Sequence, residues 1–419
     1  MRGDDRLGNV DDAPAGAHRL APEFGVGLGL ADAFALHQDA LGLVDRLALD
    51  FQRDVSWATV LDRLLYGHSD AAHLIAPLAI ATTLGRGRPA QPLATPFVLG
   101  LNGNAVTMSR ELAAKVAEPG KLADPVALGA ALAEEARVRK SEGRLLRLGV
   151  VHRYSSHNYM LRYWLAGCGI RPDEDVEIVT VAPPFVADAM ASGEIDWACV
   201  GEPWNRAAVE RGVGVIVLAT AQIWRRGVEK VLAFRAPVLE ARRPAAEALI
   251  RALLKAGAHF VDPANWEENA EILARPHYIG ADRELILGAI SDRLVLVQGA
   301  KPVHYPDFMF QHREAANFPW VSQAEWLYTQ LVRWDRLEYS PDDAKAAARV
   351  FRPDIYRSAL AGTHAPLPGA SSKVEGSVAQ TTPVTAQQGA MVLENNRFFD
   401  GRSFDPDDIE SYIGSYILE

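Results

Sequence analysis

Residues 185–203 read FVADAMASGEIDWACVGEP, and residues 59–77, TVLDRLLYGHSDAAHLIAP, follow the same pattern. At a shift of 126 positions (60 to 186) the identical pairs are Val60/Val186, Asp62/Asp188, Gly67/Gly193, Asp70/Asp196, Ala72/Ala198 and Pro77/Pro203. Each copy predicts a helix with apolar residues three and four apart, a glycine that ends it, an acidic residue and a short apolar strand closed by proline. The repeat therefore predicts one helix–turn–strand unit that is used twice.

Further strands flank both copies. FGVGLGL (24–30) and LRLGVVH (146–152) are typical of buried parallel strands that lead into helices, while LALDF (47–51) and VEIVTV (176–181) supply a second strand before each repeated helix. Units of this kind form right-handed parallel sheets, and ligands bind at the carboxyl ends of their strands. We expect an α/β protein of two βαβ lobes, with a hinge and a ligand crevice between them.

The composition of later segments predicts the domain boundaries. Strands at 213–221 and 229–236 return between the lobes, a mostly helical stretch follows, and a stretch rich in Ser, Thr, Pro and Gly then has little to bury. The predicted order is a disordered N-terminus (1–23), a first lobe (24–105 and 236–362), a second lobe (106–235), a flexible linker (363–394) and a C-terminal docking segment (395–419).

Charge and composition exclude several classes of protein. The 419 residues carry a formal net charge of −10, which argues against direct binding of nucleic acid. The apolar runs are too short to span a bilayer, and the start MRGDDRLGNVDD lacks the basic and apolar regions of a secretory signal, so we expect a cytoplasmic protein. Cys168 and Cys199 lie in apolar segments, which favours free buried thiols. No metal or cofactor is expected.

Sequence motifs of common enzymes are absent. There is no Gly-rich phosphate loop, no G-x-S-x-G elbow and no H-E-x-x-H. Glu194, Asp196 and Glu202 form an acidic group, but Asp196 matches Asp70 in the other copy, which indicates a structural turn residue. Glu202 stands opposite Ala76, so it belongs to one copy only and is a candidate ligand contact. We expect a binding protein and not an enzyme.

Four polar or aromatic residues fall at the expected rim of the crevice. They are Trp57, Asn104, His157 and Lys230. Two lobes suit a small anion that is gripped by hinge closure, because helix N-termini offer N–H donors to it. Each residue also has a purely structural explanation: packing for the tryptophan, a turn for the asparagine, a helix cap for the histidine and a solvated strand end for the lysine. The residue pattern leaves both explanations open.

Several segments resemble those of the nitrate and bicarbonate substrate-binding proteins of ABC transporters. They are SSHNYMLRYWLAGCG (155–169), PPFVADAMASGEIDWACVGEPWN (183–205), SWATVLDRLLYGHSDAAHLIAP (56–77), LNGNAVTMS (101–109) and EKVLAF (229–234). The resemblance covers residues 24–360 and implies a type II periplasmic-binding-protein fold. It implies ligand contacts at Trp57, Asn104, His157 and Lys230, with Pro184 and Gly201 as nearby backbone contributors. The family commonly has a hydroxyl side chain in the first strand–helix loop, where this chain has Ala31.

The resemblance implies nitrate or nitrite as the ligand. Nitrate is a planar monoanion with weak acceptors and suits one cation, a few donors and an aromatic face, whereas bicarbonate carries a proton and requires an acceptor or a metal. The missing signal favours a cytoplasmic branch of the family, which senses nitrate or nitrite and holds an RNA-binding antiterminator regulator inactive until the anion arrives. The alternative is a component that delivers nitrate or bicarbonate to a membrane ABC permease. A thiamin-precursor synthase of the same fold is disfavoured because the sequence has no Cys or His cluster.

Overall fold

The computed structural model describes residues 18–20, 22–24, 47–54, 56–276 and 278–417. Nearly all of the predicted strand at 24–30, the helix predicted after it, Ala31 and most of the predicted disordered N-terminus lie outside the described residues. Within the described ranges, no helix is long and apolar enough to cross a lipid bilayer.

The strands are β1 (His18–Leu20), β2 (Pro22–Phe24), β3 (Leu47–Leu49), β4 (Gln52–Arg53), β5 (Ala71–Ile75), β6 (Leu93–Asn102), β7 (Asn104–Ser109), β8 (Leu146–Val150), β9 (Val176–Thr180), β10 (Trp197–Gly201), β11 (Gly214–Ala219), β12 (Val228–Arg235), β13 (Arg293–Leu294), β14 (Val303–His304), β15 (Met309–Phe310), β16 (Leu367–Pro368), β17 (Thr382–Val384), β18 (Ala386–Gln388) and β19 (Met391–Leu393).

The α-helices are α1 (Trp57–Tyr66), α2 (Ala76–Thr83), α3 (Arg110–Val116), α4 (Pro125–Ser141), α5 (Ser156–Gly167), α6 (Val186–Ala191), α7 (Trp204–Glu210), α8 (Thr220–Ile223), α9 (Ala236–Ala241), α10 (Arg243–Val261), α11 (Trp266–Leu273), α12 (Arg283–Ile290), α13 (Val321–Trp334), α14 (Pro341–Ala348), α15 (Pro353–Leu360) and α16 (Ile409–Ile417). Short 3-10 turns lie at Pro183–Phe185, Pro263–Asn265 and Arg313–Ala315.

Two mixed sheets form the cores of the two lobes. The first has the strand order β15-β6-β12-β5-β2-β4, and the second has the order β11-β7-β10-β8-β9. In the first sheet β2 runs parallel to β4 and β5, and in the second β8 runs parallel to β9 and β10. Strands β12 and β7 run antiparallel to their neighbours. This arrangement confirms the predicted α/β protein of two lobes.

The repeated unit has the predicted form in both lobes. Helix α1 is followed by Gly67 at φ 79° and then by β5, and helix α6 is followed by Gly193 at φ 72° and then by β10. Only glycine adopts this left-handed conformation without strain, so each helix ends where the sequence predicts. Asp196 accepts the backbone N–H of Arg147 at 2.8 Å, which gives this turn acid the structural role expected of it.

The lobe boundary predicted at residue 235 is wrong. Strand β12 lies between β5 and β6 in the first sheet, so the chain returns from the second lobe at residues 220–227. The outward crossing lies at Gly103, between β6 and β7. An apolar strand pattern indicates burial, but it does not indicate which sheet buries the strand.

The segment 363–394, predicted as a flexible linker, contains four strands that pair as β16 with β18 and β17 with β19. Leu367, Met391 and Leu393 are buried in a core cluster shared with α10 and α15. The composition is misleading here because a few apolar side chains are enough to fix short strands against an existing surface.

The C-terminal segment contacts both lobes and the return crossing. Phe398 forms a β-bridge with Trp224, and their rings stack with centroids 5.0 Å apart. Trp326 of α13 lies 4.6 Å from Trp224 between ring centroids. Tyr163 of α5 donates a hydrogen bond to Asp400 at 2.7 Å. The segment therefore ties helices of both lobes to the hinge region.

Candidate functional site

A cavity lies where the two sheets meet at the chain crossings. The enclosed space measures about 30 Å³, enough for a water molecule, and the volume is about 440 Å³ when the open mouth is included. Its wall consists of residues 99–104, Gly201, Glu202, Lys230, Met309 and Gln311. Strands from both lobes therefore contribute to one small cavity, as the sequence predicts for a crevice at the hinge.

The outward crossing shapes one side of this cavity. Asn102 and Gly103 have φ values of 55° and 84°, so the chain turns sharply from the first sheet into the second. The Gly103 N–H donates to the carbonyl of Phe308 at 2.7 Å, which holds the turn in place. Asn104 follows as the first residue of β7, buried, with its Nδ2 lacking a hydrogen-bond partner among the described residues. The cavity thus holds an amide donor that is available to a ligand.

Lys230 reaches the cavity, but its ammonium is paired with a neighbouring acid. Its Nζ lies 2.6 Å from Oε1 of Glu229, and the side chains of Lys230 and Glu229 are 15% and 2% exposed. Burial alone would raise the pKa of Glu229, but the charge of Lys230 and the contact with His157 outweigh it and lower the pKa to about 2. The solvated strand end considered for Lys230 is therefore wrong.

His157 lies behind this pair and does not line the cavity. The backbone N–H of Val151 donates to its Nε2 at 3.4 Å, so Nε2 is the acceptor of this hydrogen bond. That Nδ1 lies 3.5 Å from Oε1 of Glu229. The N-cap of α5 is Ser155, so His157 is not the helix cap considered from the sequence. Its contact with the site runs through Glu229.

Trp57, the first residue of α1, lies beside Lys230 and outside the cavity wall. Its ring centroid lies 5.3 Å from Lys230 Nζ, a cation–π distance, and 5.7 Å from the ring of His73. Burial lowers the pKa of His73 to about 3, with the charge of Lys230 adding to the effect, so that ring stays neutral at physiological pH. The positive charge near Trp57 is therefore that of Lys230.

Gly201 and Glu202 form the opposite wall, at the end of β10. A methyl group on Gly201 would lie 3.5 Å from Asn104 Oδ1, so a glycine here keeps the cavity open. Glu202 is buried, and its Oε2 accepts the backbone N–H of Arg206 at 3.0 Å. Burial raises the pKa of Glu202 to about 7, against the opposing hydrogen bond from Arg206. Its Oε1 has no hydrogen-bond partner in the described part of the chain.

Pro184 lies away from this cavity. It belongs to the 3-10 turn Pro183–Phe185 that follows β9, and β9 is separated from β10 by β8 in the second sheet. The structure therefore brings together Asn104, Gly201, Glu202 and Lys230, with Trp57 and His157 in contact through the lysine and Glu229. Pro184 is not part of this group.

Several residues of the site were not predicted from the sequence, among them Asn102, Glu229 and Gln311. Glu229 adjoins Lys230, but neighbouring residues of a regular strand point to opposite faces, and nothing in the pattern pairs them. The pairing of β12 with β6 shifts register on both sides of Lys230, which breaks that alternation. Gln311, buried with an unpartnered Oε1, follows β15 and lies far from both copies of the repeat. No local signal marks it.

The described residues contain no group of three or more His, Cys, Asp and Glu side chains placed to hold a metal ion. The polar side chains on the cavity wall are instead the ammonium of Lys230, the carboxyl group of Glu202 and the carboxamides of Asn102, Asn104 and Gln311. Such a set can bind a small polar anion through hydrogen bonds and charge.

Comparison with known proteins gives a consistent family assignment. The model of the NMT1-like family matches residues 35–274. The nitrate/nitrite binding protein NrtA of Synechococcus elongatus is 30% identical over 368 residues, which cover 86% of this chain and 77% of NrtA. The nitrate import ATP-binding protein NrtC of Synechocystis is 30% identical over 87% of this chain, and the bicarbonate transport ATP-binding protein CmpC of Synechococcus elongatus is 28% identical over 87%. The chain spans 50% and 49% of the lengths of these two relatives.

A solved structure confirms the predicted type II periplasmic-binding-protein fold. The crystal structure of the periplasmic nitrate-binding protein NrtA from Synechocystis superposes with a TM-score of 0.79 at 24% sequence identity. The match covers 95% of this chain and 98% of that one.

Proposed function

The chain belongs to the NMT1-like family, and we propose that it binds nitrate or nitrite in the cavity beside Lys230 as the substrate-binding component of an ABC-type nitrate importer. The relatives named for nitrate binding and nitrate import support this proposal. The observation that carries it is the cavity, whose wall includes Lys230, with a largely buried ammonium, and Asn104, whose buried amide N–H has no partner among the described residues.

Both donors suit an anion with weak acceptors. A buried amide N–H without a partner costs about 1–3 kcal/mol, so Asn104 Nδ2 favours a ligand that accepts a hydrogen bond. The ammonium of Lys230 has three N–H groups, and its pair with Glu229 leaves others for the ligand. The ring of Trp57 lies beside Nζ but outside the cavity wall, so it contacts the ammonium and not the cavity. Charge and hydrogen-bond donors together match nitrate and nitrite.

Isothermal titration calorimetry on the purified protein tests the proposal. We expect saturable binding of sodium nitrate or sodium nitrite at pH 6.5, with sodium chloride as the reference salt. Asn104→Asp replaces the amide donor by an isosteric acid and should abolish binding, with folding checked by near-UV circular dichroism. Lys255→Met, on the exposed face of α10, is the matched control and should bind like the parent. Flat titrations of the parent with both nitrogen anions would refute the proposal.

The cytoplasmic sensor is the second candidate, with an RNA-binding antiterminator regulator as its partner. The same cavity would serve either role, so anion binding does not separate them. Recovery of the native protein from the periplasm, with loss of nitrate uptake on deletion, is the result expected for the transport component. Recovery from the cytosol in a complex that nitrate dissociates would instead support the sensor.

A further inference from the structure

Glu202 is a buried carboxyl group on the cavity wall, and one of its two oxygens lacks a hydrogen-bond partner among the described residues. Only 3% of the residue is exposed, and one carboxyl oxygen, Oε2, accepts the backbone N–H of Arg206. The other oxygen, Oε1, is buried and has no hydrogen-bond partner among the described residues. An unpaired polar atom in such a place calls for a ligand contact or a proton.

The protonation state of this group decides which anion it can contact. An ionised carboxylate only accepts hydrogen bonds, so it repels nitrate and suits a ligand that carries a proton, such as bicarbonate. A protonated carboxyl group donates one O–H, which nitrate, with acceptors only, can receive. Resting on the proposed function, we propose that Glu202 is protonated when nitrate binds and donates a hydrogen bond to it from Oε1. The proton on Glu202 therefore selects between the two oxyanions.

The charged groups near Glu202 are paired with other residues. From α7, Arg206 supplies its backbone N–H, while its guanidinium pairs with Glu210. From β12, the ammonium of Lys230 is paired with Glu229. The charge of Arg206 still favours the ionised form of Glu202.

Two further groups lie near the cavity wall. From β7, Asn104 is uncharged, and Asp292, whose pKa burial raises to about 7, accepts the backbone N–H of Met309. Burial raises the pKa of Glu202 to about 7, against the hydrogen bond and charge of Arg206 and a side-chain hydrogen bond with Asn205. The proton can therefore be gained or lost between pH 6 and pH 8.

Calorimetric titrations with sodium nitrate at pH 6, 7 and 8 test the role of Glu202. If only the protonated form binds, the affinity of the parent falls about tenfold from pH 6 to pH 8, because one proton is linked to binding. Glu202→Gln cannot titrate and keeps an N–H donor, so its nitrate affinity should not change with pH and should exceed that of the parent at pH 8. Sodium bicarbonate at pH 8 should show the opposite change, with weaker binding to Glu202→Gln than to the parent.

Glu325→Gln is the matched control. Burial, with the charge of Asp407, raises the pKa of Glu325 to about 7 as well, but Glu325 lies on α13, outside the cavity wall. This variant should keep the pH dependence of the parent. A pH dependence retained in Glu202→Gln would assign the proton to another group and overturn the proposal.

A second measurement does not depend on any variant. Titrations of the parent with nitrate at pH 8, in buffers of different ionisation enthalpy, should show uptake of about one proton for each nitrate bound. Nitrate binding without proton uptake, and with equal affinity at pH 6 and pH 8, overturns the role of Glu202 and leaves the proposed function intact. Absence of nitrate binding at every pH refutes the proposed function itself.

Discussion

Removal of the Lys230 ammonium should destabilise the protein even without ligand. Lys230→Met keeps most of the aliphatic side chain but leaves the carboxylate of Glu229 buried without its cation. A buried charge that loses its partner is strongly unfavourable, whereas replacing both members of a buried pair by neutral groups is often nearly neutral. We therefore expect a large loss of stability in the single variant and recovery in Glu229→Gln/Lys230→Met.

The structure gives the size of this effect. The pKa of Glu229 is lowered from its ordinary 4.5 to about 2, and the difference corresponds to about 3 kcal/mol. Breaking a buried ion pair typically costs about 3–5 kcal/mol, which agrees. In the parent, this contribution is complete above pH 4.5 and is lost as the pH falls through about 2. In Lys230→Met, burial should raise the pKa of Glu229 above 4.5, so the deficit against the parent should be larger at pH 7 than at pH 5.

Urea denaturation followed by tryptophan fluorescence, at pH 7 and pH 5 in nitrate-free buffer, measures these differences. Lys255→Met makes the same chemical change at an exposed position of α10 and should stay within about 0.5 kcal/mol of the parent. The reasoning is refuted if Lys230→Met is as stable as Lys255→Met at pH 7, or if the double variant is no more stable than the single one.

Gly201→Ala adds a methyl group 3.5 Å from the nearest side-chain atom, an ordinary contact, so the free energy of unfolding should not change. The methyl group narrows the cavity, so calorimetry should show nitrate affinity reduced several-fold. Unchanged affinity would place the anion elsewhere. Tyr412→Phe removes the acceptor of the Trp326 Nε1–H bond at 3.0 Å and should lower the free energy of unfolding, measured in urea, by about 1–3 kcal/mol. Tyr66→Phe, at a 78% exposed position, is the control and should have no effect. Equal stabilities of the two variants would contradict the role of the bond. Burial raises the pKa of the Cys199 thiol well above its usual range. A disulfide reagent at pH 8 should therefore label this thiol only after the protein unfolds. Rapid labelling of the native protein would show that the thiol is accessible.

The repeat explains how much of the fold could be predicted. Gly67 and Gly193 end their helices in the left-handed conformation, a requirement that a sequence displays directly. The strand β12 was also predicted, but its place between β5 and β6 depends on pairing over more than 100 residues, as in the register of Lys230 with Gly100. Local periodicity contains no information about such partners. The same limit applies to the strands within 363–394, whose burial is supplied by helices elsewhere in the chain.

The candidate site likewise contains residues that the sequence predicts and residues that it does not. Asn104, Gly201, Glu202 and Lys230 come from segments that the repeat or the family resemblance singles out, and the structure places them on one cavity. Glu229 was hidden because strand alternation places it on the face opposite Lys230, and only the irregular register of β12 brings their charged ends together.

The ion pair of Glu229 and Lys230 bears on how the cavity distinguishes one anion from another. From the sequence, Lys230 is the main attraction for an anion, because it is the only cation among the predicted contacts. In the structure, Glu229 balances part of that charge before any ligand arrives, so the ammonium holds an anion mainly through its remaining N–H donors and discriminates little between nitrate, chloride and bicarbonate. Discrimination must then come from groups whose hydrogen-bonding direction differs between these anions, since a donor and an acceptor reward different ligands. Asn104 offers a fixed donor, and Glu202 offers a donor or an acceptor according to its proton, which is why the protonation of Glu202 and not the charge of Lys230 should decide the identity of the bound oxyanion.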